Sequence, residues 1–335
     1  MYKPADMSLW KGRIDNTAQK TTAGNSARLH QKIQPWDNIS DLKDSVTLIG
    51  FACDEGVRRN QGRPGAKQGP VQIRTALANT VFPTNISVHD AGDISCNDEN
   101  LEAAQQSLAR QVCKILSANG QPIILGGGHE MAWGSFLGTA HYLSANAPKR
   151  HLGIINFDAH FDLRNPNPHA NSGTAFRQIS AWCKEHKKNF NYYVFGINPS
   201  ANSHALFKFA KQKKVHWHLD TNCTLAHLTE IEKSLSQFLS QIDELYLTVC
   251  LDVFPASTAP GVSAPAALGV DPLFVINALK LIKTVCKKYQ VVWRTTDIAE
   301  LNPNYDSEQR TANLAARLVY EIAKNQKTVT LCKNY

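Results

Sequence analysis

The chain has 335 residues, of which 43% are hydrophobic, and a formal net charge of +8 at pH 7. This length allows one large α/β domain or two small ones. No apolar run approaches the ~18–20 residues that a membrane-spanning helix needs. The N-terminal stretch MYKPADMSLWKGRIDN lacks the apolar core of a secretory signal. These features predict a cytoplasmic protein with no membrane contact.

The positive charge is spread along the chain and does not form a binding stripe. Lysines occur in KEHKK, KFAKQKK and KTVCKK, on what the spacing predicts to be solvated helix faces. No basic stripe alternates with aromatic residues, which argues against nucleic acid as a partner. A basic protein can still attract a small anionic substrate. The eight cysteines include no C-x-x-C pair, so we expect reduced, mostly buried thiols.

From about residue 45, strand-like apolar runs alternate with helical patterns. The predicted elements in chain order are strand 45–53, helix 69–82, strand 85–94, helix 100–120, strand 121–128, helix 132–145, strand 151–160, helix 174–188, strand 192–197, helix 204–214, strand 215–220, helix 224–242, strand 244–254, helix 271–289, strand 290–301 and helix 307–326. Continuous apolar strands separated by helices indicate a parallel sheet covered on both faces. With no repeat or linker, residues 41–335 are expected to form a single domain. Residues 1–40 are expected to form a polar, loosely packed extension.

Four predicted strands end in side chains that carry chemistry, at the edge where such sheets bind ligands. These side chains are His129 after three glycines, then Asp158, His160 and Asp162 in DAHFD, then Cys250 and Asp252, and finally Glu300. Since side chains alternate along a strand, the three DAHFD residues are expected on one face, where a cation would relieve their repulsion. Carboxylate and imidazole ligands suit Mn²⁺, Fe²⁺ or Zn²⁺.

Each of these residues also allows a structural interpretation. A single D-x-H at a strand end is commonly a hydrogen-bonded pair, and the three further strand ends are what favour a metal. His129 can cap the next helix, and its glycines can form a phosphate loop, although no Lys-Ser/Thr follows as in a P-loop. Asp252 can cap the proline-rich loop, and Glu300 can pair with an arginine.

In this order the motifs resemble those of the ureohydrolase (arginase–agmatinase) superfamily, which carries G-G-D-H-S, D-A-H-x-D and S-x-D-x-D-x-x-D-P. The segments LWKGRID, GFACDEGVRRNQGRPGAKQGP, LGGGHEMAWGS, NFDAHFDLR, SGTAFRQI and APGVSAPAALGV are similar to those of its formimidoylglutamase branch. The resemblance covers nearly the whole chain. It implies an arginase-like three-layer αβα sandwich with a central, mostly parallel sheet. It also implies hydrolysis of N-formimidoyl-L-glutamate to L-glutamate and formamide in histidine degradation.

The resemblance further implies two Mn²⁺ ions per chain, bridged by hydroxide. By position the ligands are His129, Asp158 and Asp162 for one ion, and Asp158, His160 and Asp252 for the other. At the second bridging position most of the superfamily has aspartate, and this chain has Cys250. The thiol is either a ligand, which would favour Zn²⁺ or Fe²⁺, or a buried cysteine that binds nothing.

Roles in catalysis and substrate binding also follow from the resemblance. Glu300 would accept hydrogen bonds from the amidinium group, and Asp162 or a water would carry a proton to the leaving nitrogen. Arg164 would bind a carboxylate of the dianionic substrate, with Arg58 and Arg63 as alternatives.

Besides Cys250, three further positions depart from the general superfamily motifs. Ser172 stands where S-H-G-T has a histidine, and the resemblance implies a substrate-binding role there. Gly128 and Glu130 replace the aspartate and the serine of G-G-D-H-S. The residues at Gly128 and Ser172 resemble those of the formimidoylglutamase branch and argue against arginase or agmatinase.

Other functions remain open at this point. The chain can be another ureohydrolase, such as an agmatinase or a guanidino-acid hydrolase. Because of Cys250 it can also be a mononuclear-zinc, deacetylase-like hydrolase or a non-catalytic metal-binding relative. The superfamily commonly forms trimers or hexamers, so the resemblance implies a homo-oligomer that acts on a small anionic amino acid.

Overall fold

The computed structural model describes residues 1–14, 27–37, 39–43, 45–83 and 85–326. Its strands are β1 (Tyr2–Lys3), β2 (Gln34–Pro35), β3 (Ser45–Ala52), β4 (Ser87–Ser95), β5 (Gln121–Gly126), β6 (Leu152–Phe157), β7 (Asn191–Ile197), β8 (His216–Leu219), β9 (Glu244–Cys250) and β10 (Val292–Ala299). They form one sheet in the order β1-β4-β3-β5-β10-β9-β6-β7-β8, with β2 beside β4. Every pairing is parallel except that of β1 with β4.

The helices of the described part are α1 (Glu55–Arg59), α2 (Gly69–Ala78), α3 (Leu101–Ser117), α4 (Met131–Asn146), α5 (Ala175–Glu185), α6 (His204–Gln212), α7 (Leu228–Leu239), α8 (Pro272–Tyr289) and α9 (Arg310–Gln326). The side chains of β5 show which helices pack on each face of the sheet. Ile123 and Leu125 pack into the same apolar core as α2, α7, α8 and α9. Ile124, which points to the opposite face, packs with α3 and the start of α4. Helices α4, α5 and α6 cover the rest of that second face. The predicted three-layer αβα sandwich is confirmed.

The described parts of the first 40 residues are packed against the edge of the sheet. β1 pairs with β4 in antiparallel register, and β2 pairs with the same strand in parallel register. Trp10 is buried, and its indole nitrogen donates to Asp90 of β4 at 2.8 Å. These contacts attach the described parts to the sheet, although most of residues 1–14 are exposed, and a polar extension over residues 1–40 stays a prediction. Residues 15–26 lie outside the described part, and the domain boundary after residue 40 stays a prediction.

The cysteines of the described part are free thiols, most of them buried: Cys53, Cys96, Cys113, Cys183, Cys223, Cys250 and Cys286. Cys332 lies outside the described residues. No helix of the described ranges is long and apolar enough to cross a membrane.

The sheet order brings four strand ends together. β5, β10, β9 and β6 are consecutive neighbours and run in parallel, so their carboxyl ends lie at one edge in the middle of the sheet. The registers pair Ala299 at the end of β10 with Cys250 at the end of β9. The predicted convergence of the four chemistry-bearing strand ends is therefore what the topology produces.

Candidate metal centre

His129 is placed by three glycines at the end of β5. The Gly127 amide donates to the carbonyl of Phe51 at 3.0 Å, and the Gly128 amide donates to that of Cys53 at 2.9 Å. A Cβ on Gly127 would lie 2.3 Å from both carbonyl oxygens, so glycine is required for this close backbone approach. The turn carries His129 to the sheet edge, where its side chain is buried.

The DAHFD motif is a loop, because β6 ends at Phe157. The expectation that strand alternation aligns these side chains is therefore wrong in its physical reason. The amide of His160 turns back and donates to Oδ1 of Asp158 at 2.7 Å. Asp162 takes the left-handed conformation with φ of 49°. A tight turn, not an extended strand, brings the three ionisable groups to one place.

Cys250 and Asp252 also converge through a turn. Cys250 is the last residue of β9, and Asp252 lies in the 3-10 turn Leu251–Val253. Both side chains are buried. Glu300 follows β10 with φ of 73°, and its Oε1 accepts a hydrogen bond from the backbone amide of His129 at 2.8 Å.

The candidate ligands form two groups, and within each group the ligand atoms all lie within 4.8 Å of one another. The groups are His129, Asp158 and Cys250, and Asp158, His160 and Asp252. Asp158 belongs to both groups and so lies between two candidate ion positions. Nδ1 of His129 is 2.9 Å from a carboxylate oxygen of Asp158 and 2.9 Å from one of Asp162. Asp162 therefore joins the first group.

The second group is equally close. Nδ1 of His160 lies 3.1 Å from Oδ2 of Asp252 and 3.5 Å from Oδ1 of Asp158. The Nδ2 amide of Asn156 donates to the other oxygen of Asp158 at 3.1 Å and so holds this carboxylate in place. The structure brings together the five side chains that the resemblance implied as metal ligands, with Cys250 beside them at the sixth position.

Unsatisfied buried atoms test whether these residues fit a metal. Asp252 Oδ1 and Glu300 Oε2 have no hydrogen-bond partner in the described ranges, and Nδ1 of His129 contacts only the carboxylates of Asp158 and Asp162. Leaving such an atom unpaired costs roughly 1–3 kcal/mol. Nε2 of His129 shares a hydrogen bond with the Thr248 hydroxyl at 3.0 Å, which leaves Nδ1 to face the carboxylates. The donor set therefore fits divalent cations, with Glu300 Oε2 left free for a ligand of another kind.

The pKa values of the carboxylates reflect burial and crowding. Burial and the charge of Asp158 raise the pKa of Asp162 to about 6. The pKa of Asp158 itself is lowered, because the hydrogen bonds and charges of His129 and His160 outweigh the effect of its burial. Burial and the charge of Glu130 raise the pKa of Glu300 well above its ordinary value.

The pKa of the Cys250 thiol is raised, as are the pKa values of Asp162 and Glu300. Burial and the charges of Asp158, Asp252 and Glu300 raise the pKa of its thiol well above the ordinary value. A nearby cation reverses this effect, since it stabilises the thiolate. At this site the thiolate form therefore depends on a bound metal.

The metal centre forms the floor of a cleft with a cavity volume of about 310 Å³. The predicted site residues that line it are His129, His160, Asp162, Arg164, Ser172, Cys250, Asp252 and Glu300. Asp158 is completely buried beneath it. Metal and substrate-binding candidates thus share one cavity.

The three arginines predicted to bind a carboxylate are not equivalent. Arg58 is paired with Glu55 at 2.7 Å and is not among the residues that line the cleft. Arg63 lines the cleft, but its guanidinium donates to the carbonyls of Ser263 and Val262. Arg164 lines the cleft, and no carboxylate of the described residues pairs with it. The geometry therefore favours Arg164.

Sequence reasoning missed two residues at this site and assigned no role to a third. Asn60 hydrogen-bonds both Arg164 and Ser172, and Thr248 hydrogen-bonds His129. Asn60 lies within the quoted segment GFACDEGVRRNQGRPGAKQGP, and Thr248 lies two residues before Cys250. Only these positions in the sequence indicated a role at the site, because the amide of Asn60 and the hydroxyl of Thr248 do not titrate.

The third is Glu130, whose carboxylate occupies space beside Gly128. A Cβ on Gly128 would lie 2.0 Å from Oε2 of Glu130, and Oε1 accepts a hydrogen bond from the amide of Gly56 at 2.9 Å. Burial raises the pKa of Glu130 to about 7. The two departures from G-G-D-H-S are therefore coupled, since a side chain at 128 and this carboxylate compete for the same space.

Comparison with known proteins agrees with this geometry. The Arginase family model matches residues 44–324. The formimidoylglutamase of Hahella chejuensis is 46% identical over 322 residues, and that of Aliivibrio fischeri is 43% identical over 343 residues. Each match covers 96% of both chains.

Solved structures share the fold. The formimidoylglutamase of Bacillus subtilis aligns with a TM-score of 0.77 at 23% identity, over 95% of this chain and 97% of that one. The Trypanosoma cruzi formiminoglutamase with Mn²⁺ aligns with a TM-score of 0.71 at 26% identity, over 85% and 94%. Sequence, fold and the cluster of metal-binding side chains lead to one conclusion: this chain belongs to the arginase family.

Proposed function

We propose that this protein hydrolyses N-formimidoyl-L-glutamate to L-glutamate and formamide. Similarity to formimidoylglutamases along 96% of the chain supports this substrate. The observation that carries the proposal is the pair of ligand clusters that share Asp158, at the floor of a cleft that also holds Arg164. Metal-binding groups and a free cation in one cavity suit an amidine that bears carboxylates.

The proposed ligands of two Mn²⁺ ions are His129, Asp158, Asp162 and Cys250 for one ion, and His160, Asp158, Cys250 and Asp252 for the other. When bound, two divalent cations would lower the pKa of a water and supply hydroxide at neutral pH. Cys250 is the soft ligand of the set, so Zn²⁺ or Fe²⁺ is an alternative to Mn²⁺.

Glu300 orients the amidine. Its Oε1 is held by the amide of His129, and its Oε2 has no hydrogen-bond partner among the described residues. The N–H groups of the substrate amidinium fit this acceptor as a charge-assisted pair. The formimidoyl carbon is then fixed over the metal centre for attack.

Asp162 transfers a proton from the water to the leaving nitrogen. Its carboxylate lies in the cleft beside His129 and so can carry a proton to the leaving nitrogen. The water oxygen bonds to the formimidoyl carbon of the amidinium, and the bond from that carbon to the glutamate nitrogen breaks. Both water protons end on the leaving nitrogen, which departs as an ammonium group, and the oxygen becomes the carbonyl of formamide. Arg164 and Ser172 bind a substrate carboxylate and keep the glutamate part at the cleft mouth.

We also propose the setting in which the protein works. Residues 41–335 act as a single domain in a cytoplasmic homo-oligomer, and the reaction belongs to histidine degradation. The spread of lysines along the chain supports a small anionic substrate and no nucleic-acid partner.

Glu300→Gln tests whether Glu300 binds the amidinium group of the substrate. The variant keeps an acceptor for the His129 amide but loses the charge that pairs with the amidinium. We expect kcat/KM for N-formimidoyl-L-glutamate to fall about 10- to 100-fold, with metal content unchanged. A variant as active as the wild type would remove Glu300 from the proposed mechanism.

A further inference from the structure

The side chain of Asn60 joins two cleft residues that lie far from it in sequence. Nη1 of Arg164 donates to its Oδ1 at 3.3 Å, and its Nδ2 donates to Oγ of Ser172 at 3.0 Å. All three side chains line the same cleft as the metal centre. One amide therefore fixes both a cation and a hydroxyl at the place where a substrate carboxylate would bind.

Arg164 differs in its charge environment from the nearby Arg59. Arg59 pairs with Glu55 at 2.8 Å and with Glu102 at 2.7 Å. Within the described ranges, the side chain of Arg164 has no carboxylate partner, and it hydrogen-bonds only the neutral Asn60. The protein therefore leaves the positive charge of Arg164 available to a ligand.

The hydroxyl of Ser172 is also left able to donate a hydrogen bond to a ligand. Because its oxygen accepts a hydrogen bond from Asn60, its own proton is free for another acceptor. The guanidinium of Arg164 likewise has N–H groups beyond the one that Asn60 uses. A carboxylate only accepts hydrogen bonds, so it matches this set of free donors.

Backbone contacts fix the arrangement. The amide of Arg164 donates to the carbonyl of Gly173 at 2.9 Å, and a Cβ on Gly173 would lie 3.0 Å from Cδ of Arg164. The amide of Asn60 donates to the carbonyl of Gly56 at 3.0 Å, and the amide of Gly56 donates to Glu130 at 2.9 Å. Asn60 is thus anchored to the segment that carries the metal-centre histidine.

We propose that Asn60 is a specificity-determining positioning residue that keeps the charge of Arg164 and the proton of Ser172 available for a substrate carboxylate. The inference rests on the proposed function, in which that carboxylate belongs to N-formimidoyl-L-glutamate. It explains why an amide stands here. An aspartate of the same shape would pair with Arg164 and repel an anionic substrate.

Asn60→Asp tests the proposal, with Gln61→Glu as the matched control. Both variants add one negative charge to the cleft lining, but the exposed Gln61 makes no hydrogen bond with Arg164 or Ser172. In the Mn²⁺-loaded protein we expect Asn60→Asp to raise KM about 10- to 100-fold, with kcat within about threefold of wild type. The control should change KM less than about threefold. Calorimetric titration with L-glutamate should show the same ratio in Kd.

The possible results separate the two proposals. Equal KM and Kd in Asn60→Asp and Gln61→Glu overturn the role of Asn60, while wild-type turnover still supports the proposed function. No wild-type turnover, with glutamate binding weakened in Asn60→Asp alone, overturns the proposed function and supports the role of Asn60. A wild-type protein that does not bind L-glutamate overturns the carboxylate site itself.

Discussion

Nε2 of His129 lies 3.0 Å from the hydroxyl oxygen of Thr248, and both side chains are buried. The contact fixes the imidazole so that Nδ1 faces Asp158 and Asp162. Thr248 belongs to the same strand, β9, that ends in Cys250. β9 thus supplies both the candidate ligand Cys250 and Thr248, which orients the candidate ligand His129.

Thr248→Val should weaken metal binding without removing a ligand. Valine has nearly the same shape but cannot hydrogen-bond, so the imidazole loses its fixed orientation. Loss of such an outer partner typically lowers metal affinity by about 10- to 100-fold. Equilibrium dialysis against Mn²⁺ followed by elemental analysis measures the change. Thr248→Ser keeps the hydroxyl and should bind metal like the wild type, and equal affinities in all three proteins would contradict this role.

Cys250→Ser should lower metal affinity at least about tenfold, because a neutral hydroxyl replaces a thiolate ligand. Cys250→Asp should restore binding and shift the preference toward Mn²⁺ over Zn²⁺, since a carboxylate is the harder ligand. Competition between the two ions, read by elemental analysis, distinguishes these outcomes. Cys113→Ser, on α3 and partly exposed, is the control. If Cys250→Ser and Cys113→Ser hold equal metal, the thiol is not a ligand.

Gly128→Asp should destabilise the protein more while Glu130 is present than when it is replaced by serine. A Cβ at position 128 would lie 2.0 Å from Oε2 of Glu130, and overpacking of this kind costs about 1–3 kcal/mol. The double variant Gly128→Asp with Glu130→Ser removes the clash with the carboxylate, while the contact of the new Cβ with Cγ2 of Val57 at 2.6 Å remains. A double-mutant cycle of urea unfolding measures the coupling. Strictly additive changes in the free energy of unfolding would show that the two positions do not compete for space.

The pH dependence of stability should include a contribution from His218 on β8. Burial lowers its pKa, and it shares a hydrogen bond with the Tyr193 hydroxyl at 2.7 Å. The unfolded chain therefore binds this proton more readily. The contribution to folding is complete above the ordinary pKa of 6.5 and is lost as the pH falls through the lower folded pKa.

His218→Gln keeps a hydrogen-bonding side chain and removes the titration. We expect its free energy of unfolding to vary less than that of the wild type between about pH 5 and about pH 7.5. Urea denaturation at the two pH values gives the comparison. An unchanged pH dependence would contradict the assignment of this contribution to His218.

The fold could be predicted from sequence because apolar periodicity reports burial directly. β5, β6 and β9 are largely apolar, and the parallel order of these strands with β10 places the four ends at one edge. β1 and β2 were missed, since two-residue strands carry no period. Helix α3 shows a smaller limit. Gly120 looked like its stop signal, but Asn119 takes the left-handed conformation, with φ of 62°.

The site was predictable to the extent that its residues titrate or bind metals. Asp158, His160 and Asp162 were recognised as a cluster, but strand alternation was the wrong reason. The positive φ of Asp162 depends on a loop conformation that the sequence pattern does not encode. Asn60 was missed because its role depends on contacts with Arg164 and Ser172, more than 100 residues away in the chain.

The central claim is tested most directly by turnover of N-formimidoyl-L-glutamate with Mn²⁺-loaded protein, with arginine and agmatine assayed in parallel. We predict equal amounts of formamide and L-glutamate, loss of activity on metal removal, and a kcat/KM at least about 100-fold above that for the other two substrates. No formamide release with Mn²⁺ supplied, or faster hydrolysis of arginine or agmatine, would contradict the account.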